Sequence, residues 1–137
     1  MKCFNSQIGE IDYAEQHVFT FADGIIGFEH LRKFVIISDE ETEPFRWLIS
    51  VEDEDVCLPI LDPNCIIANY DVLNCFPEGT TVAVIASLKE PVQESTVNVR
   101  SPILFDAEQK KGKQIILPDE QFTVQHKFVA ERQLIES

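Results

Sequence analysis

The chemistry of this 137-residue chain is concentrated in its carboxylates. Glu52, Asp53, Glu54 and Asp55 are consecutive, and Asp39, Glu40, Glu41 and Glu43 form a second group just upstream. Acids this crowded repel one another and stay hydrated, unlike the isolated, desolvated acid whose pKa is tuned for proton transfer. Their expected role is to present charge to a partner or, as a solvated face, to keep the protein soluble. Oxygen ligands for calcium abound in 52–55, but the alternating ligands and central glycine of an EF-hand loop are missing. No metal and no cofactor are expected.

Nucleophilic chemistry has weaker support. Cys3, Cys57, Cys65 and Cys75 include no C-x-x-C pair, and none of His17, His30 and His126 stands four residues from another His or Cys. The thiols read as small apolar core residues. A cysteine-dependent hydrolase is the alternative from a different functional class, and it would require one exposed thiol of depressed pKa. There is no G-x-S-x-G, no H-E-x-x-H and no phosphate-binding glycine loop. Gly24 and Gly27 are three residues apart after an apolar run, but no helix of useful length follows, so they read as turn glycines. The chain is not expected to be an enzyme.

These residues need elements to hold them, and strand signals dominate. Short β-branched and aromatic runs are punctuated by Gly, Pro, Asn and Asp. Strands are predicted over Val18–Ala22, Phe34–Ile37, Phe45–Val51, Cys57–Leu61, Cys65–Tyr70, Thr81–Leu88, Thr96–Arg100, Ile103–Phe105, Gln114–Leu117 and Phe122–Phe128. Pro59 lacks a ladder donor and pushes its strand toward an edge or a bulge. The segment Asp106–Lys113 reads as the connection of a hairpin. Single helical turns are predicted at His30–Lys33 and Val129–Ile135. Many short strands without a long amphipathic helix indicate an all-β fold, a small antiparallel β-barrel-like domain, single over residues 1–137.

Composition agrees with a folded domain: 45% of residues are hydrophobic and 26% charged. No apolar run approaches the roughly 20 residues that span a bilayer, and no signal peptide is visible, so a cytoplasmic location is expected. The formal net charge is −13, and residues 1–78 hold 16 Asp+Glu against 4 Lys+Arg, leaving −1 for the rest. Such a field repels nucleic acid and anionic lipid and speeds encounter with a basic partner. Neither nucleic acid nor a membrane is an expected ligand, and a monomer is expected.

Taken in order, F-A-D-G-I-I-G-F-E (Phe21–Glu29), P-F-R-W-L-I-S (Pro44–Ser50), Asp62-Pro63, Tyr70, T-V-N-V-R-S-P-I (Thr96–Ile103) and G-K-Q-I-I-L (Gly112–Leu117) resemble the FliW family of flagellar assembly factors. The resemblance spans almost the whole chain. It implies a β-barrel-like protein that binds newly made flagellin in the cytoplasm. On flagellin export it is released to bind the RNA-binding translational regulator CsrA, relieving repression of flagellin mRNA. An RNA-binding protein carries Lys and Arg for the phosphates, so the acidic surface fits such a partner. Charge and loop position assign Glu52, Asp53, Glu54 and Asp55, with Asp39, Glu40, Glu41 and Glu43, to CsrA. Phe45, Trp47, Asn98 and Arg100, in or beside the motifs, are assigned to flagellin. Ile25-Ile26 stands where the family commonly has Leu-Pro, Leu48-Ile49 where it has Leu-Gln, and Arg100-Ser101 where it has Leu-Ala. Through such departures, a flagellin-only chaperone without the CsrA contact is the nearest alternative.

Overall fold

Strands β3 to β9 close into a seven-stranded barrel: Phe19–Phe21, Lys33–Ser38, Arg46–Ser50, Cys57–Leu61, Thr80–Ser87, Thr96–Asp106 and Lys111–Gln114. A hairpin of β1 (Lys2–Asn5) and β2 (Gly9–Asp12) precedes them, and β10 (His126–Lys127) pairs with the first half of β8. This computed structural model describes residues 1–65, 80–89, 94–117 and 126–127. The strand runs expected over 66–70 and 122–125, and the helical turn at 129–135, lie outside the described residues. Pairings are antiparallel except at the closing seam, where β3 runs parallel to β9 through Thr20↔Lys111 and Phe21↔Gly112.

Side-chain alternation explains how these runs form a barrel. Phe34 and Ile36 of β4 and Leu48 of β5 join Phe19, Phe21, Ile60, Ala83, Ile103 and Phe105 in the interior cluster. A small barrel is filled by side chains in this way. Val35 and Ile37 point outward, yet Val35 is also buried, packed with Ile49, Trp47 and Cys57 beneath Ile11 and Cys3 of the hairpin. Burial on both faces is why β4 reads as an unbroken apolar run. A third cluster, including Val84, Val97, Val99 and Leu117, covers the outer face of β7 and β8.

Several local expectations are revised. His30–Lys33 forms no helical turn: residues 22–31 are a chain of tight turns with Gly24 at φ +67° and Gly27 at φ +91°, and Lys33 already belongs to β4. Among the described residues, complete single turns of 3-10 helix lie at Glu15–His17, Glu40–Thr42 and Pro63–Cys65. The Thr96–Arg100 and Ile103–Phe105 runs are one strand, whose register with β7 slips between Ala83↔Ile103 and Ile85↔Asn98 to accommodate Pro102. The hairpin into β9 is present, but its strand pairs over Lys111–Gln114, earlier than the apolar Gln114–Leu117, because Gly112 is needed opposite Phe21. Among the described residues, Pro59 pairs with β5 through Trp47 and has no partner in β7, which β6 meets through Ile60 and Leu61. The β1–β2 hairpin was not expected, because its alternation is short and Lys2, Glu10 and Asp12 mask the apolar face.

Barrel closure depends on contact between Phe21 and a bare backbone. A Cβ at Gly112 would collide with the Phe21 ring, and that ring is fully buried in edge-to-face contact with Phe34 and Phe105 at 5.2 and 5.9 Å. Gly112→Ala is therefore expected to cost about 1–3 kcal/mol by overpacking, seen as a lower urea midpoint. An unchanged midpoint would mean that the Phe21 ring moves aside freely.

Candidate functional site: the acidic ends of the barrel

The two acidic groups are built on successive connections of β4, β5 and β6. Because these strands are antiparallel, residues 39–43 lie at one end of β5 and residues 52–55 at the other, about 17 Å apart along a five-residue strand. They do not form one surface.

The 52–55 connection is a hydrogen-bonded frame. The buried Ser50 Oγ accepts from the N–H groups of Glu52 and Asp53, both at 3.0 Å, and Asp53 Oδ1 accepts from Asp55 N–H at 3.0 Å. Glu52 Oε1 accepts from the N–H groups of Arg32 and Lys33 at 2.7 and 2.8 Å, fastening the entry of β4. Those two bonds, followed by the nearby positive side chains of Lys33 and Arg32, hold the Glu52 carboxyl below its ordinary value of 4.5. Asn5, fully buried, donates to the Val56 carbonyl at 3.1 Å and accepts from Gln7 and Ile8 N–H, while Ser6 N–H donates to the Glu54 carbonyl at 2.8 Å. This staple between hairpin and loop was missed in the sequence. Its one visible signal was Asn5 opening a turn that ends at Gly9, φ +102°.

At the other end, Asp39 Oδ1 caps a single 3-10 turn by accepting from Glu41 N–H at 2.9 Å. Among the described residues, the carboxylates of Glu40, Glu41 and Glu43 have no hydrogen-bond or ion-pair partner. The turn is a ridge between two cavities. One, of about 420 Å³, is lined by Phe45, Ile60, Val82 and Phe105 beneath Asp39, Glu43 and Asp62. The other, of about 320 Å³, is lined by Ile8, Ile37 and Trp47. Trp47 is half-buried, and its indole N–H donates to Thr42 Oγ1 at 3.1 Å. Phe45 is half-buried against the cluster containing Leu61 and Val82.

Asn98 and Arg100 sit away from this ridge and hold the β8 irregularity. Asn98 Oδ1 accepts from the N–H groups of Arg100 and Ser101 at 3.2 and 3.0 Å. Arg100 Nε donates to the Leu117 carbonyl at 3.2 Å, and Leu117 N–H returns a bond to the Arg100 carbonyl at 2.8 Å. Much of the T-V-N-V-R-S-P-I motif is thus occupied with strand geometry. The G-I-I-G-F-E motif is similar: a Cβ at Gly24 would meet the Glu29 backbone at 2.6 Å, and Glu29 accepts from Gly27 N–H at 3.1 Å.

Cys3 and Cys57 are half-buried free thiols, and desolvation raises the pKa of both. That is opposite to the shift a nucleophilic thiolate needs. Among the described residues no group of three His, Cys, Asp or Glu is arranged to hold a metal, and no helix is long and apolar enough to cross a membrane.

Glu52→Ala is expected to cost about 1 kcal/mol at pH 7, the worth of ordinary hydrogen bonds, because water screens the charge. A depressed carboxyl pKa stabilises above the unfolded value and loses that contribution as pH falls through the folded one. The difference between wild type and variant in urea unfolding should accordingly shrink below about pH 4.5. A difference independent of pH would show that the charge contributes nothing.

The family model described as FliW protein matches residues 2–128. A flagellar assembly factor FliW from Thermosipho africanus (strain TCF52B) is 44% identical, with 91% of this chain and 94% of the relative covered. The FliW of Thermotoga maritima is 35% identical with 90% of each covered, and that of Clostridium tetani is 32% identical with 96% and 97% covered. A solved structure titled as the crystal structure of the flagellar assembly factor FliW superposes with a TM-score of 0.84 at 25% identity, covering 93% of this chain and 96% of that one. With the barrel and its motif-built turns, these likenesses establish that the chain belongs to the FliW family of flagellar assembly factors.

Proposed function

We propose that this protein acts by protein–protein binding in the cytoplasm, capturing flagellin and, when flagellin is exported, binding CsrA so that flagellin mRNA is no longer repressed. Family membership supports the flagellar role, and the observation carrying the CsrA contact is unneutralised charge. Among the described residues only two ion pairs fall within 4 Å, the Met1 amino group with Asp12 at 3.7 Å and Lys2 with Glu10 at 3.2 Å, both in the β1–β2 hairpin. Among the described residues, no cation lies within 4 Å of the carboxylates at either end of β5. An RNA-binding regulator must display Lys and Arg for phosphates, and opposite fields favour encounter with it. Phe45 and Trp47, beside the ridge, supply the aromatic surface on which a flagellin segment would anchor. The flagellin-only alternative leaves this charge only solubility and the backbone bonds of Glu52 and Asp53.

Calorimetric titration with purified CsrA and, separately, flagellin tests this reading. Saturable binding to both is expected, with CsrA affinity falling at least several-fold as salt rises from 50 to 200 mM, as screening of exposed charges requires. Binding of flagellin alone would leave a dedicated chaperone, and binding of neither would remove the proposed function.

A further inference from the structure

We propose that the cavity of about 420 Å³ at the Asp39–Glu43 end of the barrel is a preformed socket for a protein segment carrying arginine or lysine next to a bulky apolar side chain. This deepens the partner-binding reading above and rests on it. Its floor is barrel interior: Ile60 and Phe105 are 3% and 2% exposed, so the floor is held by the same packing that holds the fold. A rigid floor spares the ordering cost that weakens binding to flexible surfaces. The volume falls within the roughly 300–1,000 Å³ of ligand sites.

Charge decides the occupant. Asp39, Glu43 and Asp62 line the cavity against one cation, Arg46. No described ion pair joins Arg46 to any of them. Asp39 and Asp62 each use Oδ1 on a backbone N–H, of Glu41 and Asn64 respectively, which leaves Oδ2 open to a donor. An anion would meet net negative charge here, and a purely apolar segment would leave the carboxylates facing it. An arginine or lysine lays its aliphatic stem along apolar surface while its head reaches carboxylate oxygens. The neighbouring apolar side chain then fills the space over Phe45 and Val82. Across the ridge, the cavity beside Trp47 shares Asp39 as a wall, so a segment crossing the ridge meets apolar ground on both sides.

The test uses the full chain labelled with nitrogen-15, titrated with the peptide acetyl-Leu-Arg-Leu-Arg-Leu-amide and with its Glu-for-Arg counterpart. Saturable amide shifts are expected over residues 38–46, at Asp62 and over residues 80–82, with movement of the Trp47 indole signal and no response to the Glu peptide. Thr81 is exposed at the cavity wall, and Thr81→Trp should reduce affinity at least tenfold while leaving the thermal midpoint unchanged. Glu43→Gln should weaken binding several-fold, whereas Glu54→Gln with Asp55→Asn, at the other end of β5, should not. No shifts at millimolar peptide, shifts centred on residues 52–55, or wild-type binding by a folded Thr81→Trp variant would each overturn the socket. The calorimetry with CsrA and flagellin reads the proposed function separately. If the peptide binds and neither protein does, the function falls and the socket stands; if both proteins bind and the peptide does not, the reverse holds.

Discussion

The parallel seam between β3 and β9 is the constraint on which the rest of the molecule depends. A curled sheet buries its inner side chains only if its two edges meet, and here they meet where the Phe21 ring lies flush against the backbone of Gly112. Phe21 in turn anchors Phe34 and Phe105, so closure and the aromatic core form together. Lys110, at φ +56°, turns the chain into β9, with its ammonium 5.1 Å from the centre of the Phe19 ring. Once the ring of strands is shut, the ends of β4, β5 and β6 are fixed in space, and with them the acidic connections.

Those connections divide the charged residues by work. At one end, Ser50, Asp53 and Glu52 spend their acceptors on backbone N–H groups, so acidity there is partly structural. At the other end one acceptor, Asp39 Oδ1, shapes the turn and the remaining carboxylates face water over apolar-lined space. Surface charge without a partner adds little to folding and favours solubility and encounter. The proposed function uses this arrangement, because the same rigid barrel carries both the apolar floor and the charged rim that a protein partner would meet.

Periodicity made much of this fold legible before any coordinates. The runs at Phe34–Ile37, Phe45–Val51, Cys57–Leu61 and Thr81–Leu88 correspond to strands within a residue or two of their ends, because β-branched and aromatic residues between Gly, Pro and Asp punctuation have few other solutions. The β1–β2 hairpin was not legible, since its stability comes from Asn5, Ser6 and Ile11 meeting a loop and two strands far along the chain. The helical turn expected at His30–Lys33 failed for a related reason: Glu52, twenty residues away, takes the N–H groups of Arg32 and Lys33.

By itself, then, the chain determined an all-β fold, a strongly acidic first half and, through ordered motifs, the FliW family. These follow from residue types and short spacings, which act locally. Only the tertiary structure decided that the acidic groups lie at opposite ends of β5, that Asn98 and Arg100 are tied to a β8 bulge, and that Gly112 is a packing requirement. Each of those depends on which distant segment arrives opposite. That choice is made by barrel closure, a property of all seven strands at once.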